Sequence, residues 1–115
     1  MSDHIDAKEF LKIKQNFAVL EKAEDAVEAA LKRDDFSKLK EACQVWTSAA
    51  AKLGGGGRIA DLKNAFTALE QSEKAIKSAM ATNDLGRLTA ACHGNRQVAQ
   101  VFGRALDAVK QKFHL

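Results

Sequence analysis

The chain has no proline and no tyrosine, and its aromatic content is one tryptophan and six phenylalanines in 115 residues. Without proline no helix has to kink or stop on its account. With so few aromatics, a core must be built mainly from aliphatic side chains. There are only two cysteines, Cys43 and Cys92, in neither a CxxC pair nor a zinc-ligand spacing, so a zinc module or a disulfide-dense scaffold is excluded. No apolar run approaches the length that crosses a bilayer. The N-terminus MSDHIDAKEF lacks the basic-then-apolar order of a secretory signal, and a cytoplasmic location is the expectation.

Charge of one sign is also scarce. The net charge is +3, too mild to suggest an anionic polymer as partner. From Gly86 onward the chain is more basic, with Arg87, Arg96, Arg104, Lys110 and Lys112 against Asp107. These cations are spread around a helix without interleaved aromatics, which reads as a solvated face and not as a nucleic-acid surface. No membrane partner is expected either.

What is abundant is Ala, Leu, Lys and Glu, within a hydrophobic fraction of 46%. That composition folds, and it folds as helix. Four segments emerge. The first spans about 6–33, with Asp6 and Glu9 placed as a capping box, and the second about 35–53. The third spans about 58–82 and the fourth about 84–113. Gly54 to Gly57 break the chain in the middle, and the tight polar breaks at Asp34-Asp35 and Asn83-Asp84 suit helical hairpins.

The two halves repeat. Displaced by the 49 positions that separate Cys43 from Cys92, Phe17, Leu20, Glu24, Ala30, Asp35 and Leu39 meet Phe66, Leu69, Glu73, Ala79, Asp84 and Leu88. Two copies of one hairpin, about 6–53 and 58–113, are therefore joined through the glycine turn 54–57. A lone hairpin cannot cover its apolar face, so residues 1–115 are expected to form one all-α domain, an antiparallel up-down-up-down four-helix bundle. The apolar seam steps by threes and fours, and it puts Phe17, Leu20, Val27, Leu39, Phe66, Leu69, Ile76, Leu88 and Phe102 in the core.

The same seam carries Glu24 and Glu73. Folding each hairpin about its turn sets Glu24 opposite Cys43 and Glu73 opposite Cys92. With a two-fold axis along the bundle, all four share one layer. Two glutamates there would share a proton or a cation, and a Glu2Cys2 set is a candidate ligand or metal layer. The plainer alternative has both glutamates reaching water or pairing with a basic residue. A Cys43–Cys92 disulfide fits by position, but a reducing compartment favours free thiols. The next layer sets Leu20 with Trp46 and Leu69 with Asn95, so that Trp46 leans into room left by Gly94 and Asn95.

One further stretch, ACHGNRQVAQVFG, holds His93 beside the seam with Arg96 three residues on. A histidine, a basic residue three later and Gly103 ten later resemble, over about one helix, the pattern of histidine phosphotransfer domains. Asp84 and Leu88 fall in plausible places upstream. The resemblance implies phosphoacceptance at His93 with Arg96 as the stabilising cation. The chain departs from that family's pattern at Asn95 and Gln97.

No catalytic set is visible otherwise, and GGGG lacks the lysine and hydroxyl of a phosphate loop. The leading expectation is a non-enzymatic interaction module without a cofactor, whose partner is a protein or a second copy of the chain. The fourth helix outruns the second, which makes Leu106, Val109 and Phe113 a candidate partner surface unless Phe10 and Ile13 cover it.

Overall fold

The computed structural model describes residues 7–53 and 59–114. The expected capping residue Asp6, the glycine turn 54–57 and Arg58 lie outside them. The elements are α1 (Ala7–Arg33), α2 (Phe36–Lys52), α3 (Ala60–Thr82), α4 (Leu85–Ala91) and α5 (Asn95–Phe113). Together they make a four-helix bundle measuring 47 × 20 × 19 Å, with α4 and α5 sharing the fourth position.

Contacts across the bundle set the helix directions. Arg96 at the start of α5 meets Glu28 near the end of α1, while further along α5 the Phe102 ring lies 5.5 Å from that of Phe17. Lys112, near the end of α5, pairs with Asp61 at the start of α3 at 3.1 Å. Lys40, near the start of α2, donates to Asn83 at the end of α3 at 2.9 Å. Neighbouring helices are therefore antiparallel.

The repeat extends to the turns. Asp34 and Asn83 both adopt the left-handed conformation at φ 55°, which short polar side chains tolerate best after glycine. The residue after each then caps the next helix. Asp35 accepts the backbone N–H of Lys38 at 3.1 Å, and Asp84 accepts that of Arg87 at 3.2 Å.

The seam register holds in the core. Leu20, Val27, Leu69, Ile76, Leu88 and Phe102 have no solvent exposure, and Leu39 and Phe17 are buried. Phe66 is only half-buried, and the adjoining Ala65 is the buried position on α3. Leu31, Phe36, Met80 and Leu85 sit at the turn end and are also partly covered.

The fourth helix departs from the continuous span expected over 84–113. It breaks at Cys92, His93 and Gly94, where the ladder tightens to three-residue bonds. The N–H of His93 donates to the carbonyl of Ala90, and that of Asn95 to the carbonyl of Cys92, each at 3.2 Å. In the first copy, α2 runs unbroken through the matching Cys43, Gln44 and Val45. Glycine in place of valine removes the helix preference at that point.

Candidate functional site

The layer that the seam singled out is polar and buried. Cys43 and Cys92 are free and hydrogen-bonded to each other, Sγ to Sγ 3.5 Å. Glu24 retains 6% of its surface, and Trp46 and Asn95 retain none. Glu24 Oε1, Trp46 Nε1 and both amide atoms of Asn95 have no hydrogen-bond partner among the described residues. The indole N–H still lies close enough to Glu24 to favour its charged form. Trp46 therefore reaches across into the glutamate's layer.

Burial pushes the Glu24 carboxyl up to about 7, and the neighbouring Glu28 adds to the rise. Attraction by Arg96 works against both and does not overcome them. Each unsatisfied buried group costs on the order of 1–3 kcal/mol, so this arrangement is an expense that packing alone does not require. Burial and the charge of Glu24 both disfavour a thiolate on either sulfur, and either thiol can donate in the bond between them.

Glu73 does not join the layer. Its carboxylate pairs with Lys77 one turn on, at 2.9 Å, and its side chain is 13% exposed. The difference from Glu24 has a cause in the repeat. Glu24 has Glu28 four residues on, where Glu73 has Lys77. One neighbour repels and the other pairs. Glu28 finds its cation across the bundle in Arg96, and the position matching Arg96 in the first copy is Thr47, buried and bonded at 2.9 Å to the carbonyl of Cys43. Four ligands thus do not converge, and among the described residues no group of three or more His, Cys, Asp or Glu is placed to hold a metal ion.

His93 is exposed, but in the turn between α4 and α5 and not on a helix. Arg96 is turned away to α1, where Glu28 accepts from its Nε and Nη2, and Asp25 lies 3.5 Å from Nη2. A cation already held by two carboxylates is poorly placed to stabilise a phosphoryl group. The structure does not assemble the phosphotransfer pair.

The expected partner surface at the end of the fourth helix is largely closed. Leu106 and Val109 retain 4% and 1% of their surface, and Phe113 is half-covered. Phe10 and Ile13 of α1 are themselves buried in the same hydrophobic core.

An open apolar surface lies elsewhere, along α1 and α2. A groove of about 520 Å³ runs between them. Ala23, Ala30 and Ala42 form its floor, and Val19 and Val45, 46% and 49% exposed, stand at its sides. Lys22, Arg33 and Lys38 line its rim together with the carboxylates Asp35 and Glu41, and none of the three cations has an ion pair among the described residues. The sequence carried a signal for it. Val19, Ala23, Ala26 and Ala30 repeat by fours and threes beside the main seam, as do Ala42, Val45 and Ala49. Small residues on both helices let them approach closely and leave a shallow trough on the outer side. No helix among the described residues is long and apolar enough to cross a membrane.

Comparison with known proteins adds no relative: no family model, no curated protein and no solved structure matches the chain.

Proposed function

We propose that the protein acts without catalysis, by seating an acidic amphipathic helix of a partner protein in the α1/α2 groove. The observation that carries this reading is the groove itself, with its alanine floor, exposed valine sides and a rim on which three cations, Lys22, Arg33 and Lys38, outnumber two carboxylates, Asp35 and Glu41. A helix laid in such a trough buries its apolar stripe against the alanines and valines. Acidic residues flanking that stripe meet Lys22, Arg33 and Lys38, which steers the encounter and sets its orientation.

The test uses a designed helical peptide whose apolar stripe is flanked by glutamates, with a lysine-flanked version as control. Chemical-shift mapping should place the glutamate peptide on Val19, Ala26 and Val45, with binding that weakens as salt is added. Ala26→Arg should abolish it, and the lysine peptide should bind more weakly. Equal binding of both peptides, or shifts away from α1 and α2, would refute the assignment. A dimer that Ala26→Arg dissolves would replace the partner helix with a second copy of the chain.

A further inference from the structure

Nothing in a docking role uses the two core thiols, yet their placement has chemical consequences. Cys43 sits in mid-helix on α2, and its backbone is held in the α2 ladder and by the Thr47 hydroxyl. Cys92 is different. It closes α4 at the point where the fourth helix breaks: its own N–H still bonds the carbonyl of Leu88 at 3.0 Å, and the next bonds, from His93 and Asn95, contract to three-residue steps. A disulfide requires the sulfurs to close from 3.5 Å to about 2.05 Å, a travel of about 1.5 Å. Cys92, at the end of a helix, is the less constrained of the two, and Cys43, in mid-helix, the more constrained.

We infer that Cys43 and Cys92 form a peroxide-reactive dithiol that closes to an intrachain disulfide tying α2 to the end of α4. The inference stands independently of the groove. Hydrogen peroxide is the oxidant because access is narrow: Cys92 retains 5% of its surface and Cys43 none, which shuts out bulky disulfides. Cys92 is the sulfur that reacts first, being the more accessible of the two and lying at a helix end. The charge of Glu24 disfavours a thiolate on either sulfur, so the reaction is slow and calls for peroxide in excess.

The Cys92 thiolate attacks one peroxide oxygen, and the O–O bond breaks. This gives a Cys92 sulfenic acid and a hydroxide, which leaves as water with the proton that the Cys92 thiol gave up. The Cys43 sulfur then attacks the sulfenic sulfur. The S–S bond forms, the S–O bond breaks, and the hydroxyl leaves as a second water with the Cys43 proton. Two thiols and one hydrogen peroxide thus become one disulfide and two waters, the sulfurs supplying both electrons.

The test treats the reduced full chain with hydrogen peroxide, blocks remaining thiols in denaturant and measures intact and peptide masses. The expected product is a monomer that has lost two hydrogens, takes up no blocking reagent and yields a linked Cys43–Cys92 peptide. Dithiothreitol should restore both thiols. In Cys43→Ala, checked for helix content, Cys92 should instead be captured as the sulfenic acid by dimedone. Retention of both thiols under peroxide that oxidises free cysteine would overturn the inference. So would a disulfide between two chains, or over-oxidation of Cys92 in the wild type without a cross-link.

Discussion

Replacing Glu24 with glutamine should make the protein more stable at pH 8 and leave it nearly unchanged at acidic pH. The carboxyl is buried and its folded-state value is about 7, against an ordinary 4.5. In the unfolded chain it loses its proton near the ordinary value, so between about pH 4.5 and 7 the folded state binds more protons. Stability therefore falls as pH rises through that window and levels off above it. Each pK unit is worth about 1.4 kcal/mol, so the gap between 4.5 and about 7 sets a loss of at most about 3 kcal/mol. That is a large share of the roughly 5–15 kcal/mol that holds a typical domain together. Glutamine keeps the shape and has no proton to lose, so the variant should lack this fall. Urea unfolding at pH 4.5 and pH 8, followed by helix ellipticity and by the single tryptophan, Trp46, gives the comparison. Titrating groups common to both proteins cancel in the difference between them. If that difference is the same at both pH values, Glu24 ionises freely in the folded state and the argument from burial fails.

Five other substitutions probe the frame. Asp35→Ala and Asp84→Ala each remove a helix cap and should each cost about 1 kcal/mol in denaturant unfolding, with similar sizes because the two turns share one geometry. Gly103→Ala should destabilise by about 1–3 kcal/mol, because a Cβ there would lie 3.0 Å from the Phe17 ring. Gly94→Ala should stay within about 0.5 kcal/mol of wild type, since its Cβ meets nothing and its gain in helix preference is offset by loss of glycine at the start of α5. Leu106→Ala should cost about 2–5 kcal/mol; a cost near zero would show that this position lies on an open surface after all.

Helix positions, turns and most of the core were legible because they depend on spacing within one segment. Period, caps and the breaks at Asp34 and Asn83 are local signals, and the duplication supplied each of them twice. The break in the fourth helix was also written locally, as Gly94 in the place of Val45, but the repeat argued for continuity and hid it. The closure over Leu106 and Val109 was not local. It depended on how far α1 extends past the hairpin's second strand of contacts, and only packing showed Phe10 and Ile13 to be in place. The groove escaped attention because alanine reads first as a helix former. Its meaning as a contact surface appears only when two alanine rows face each other across α1 and α2.

The divergence of the two copies explains why one polar layer forms and not two. At the positions four residues beyond each seam glutamate, the chain has Glu28 in one copy and Lys77 in the other. Lys77 draws Glu73 to the bundle edge, where a partly exposed ion pair is worth little but costs little. Glu28 can do nothing of the kind for Glu24, and it takes up Arg96, the cation that might have neutralised both. Glu24 is left inside, in electrostatic reach of the two cysteines, which lie 3.5 Å apart. Trp46 and its counterpart in the repeat, Asn95, are both fully buried, and the indole N–H and the amide of Asn95 have no partner among the described residues. A duplicated hairpin with identical halves would place two like glutamates at that level and repel itself apart. The change at this one position pairs Glu73 off with Lys77 and leaves a single buried carboxyl, pushed up to about 7, in the core that also holds the two free thiols.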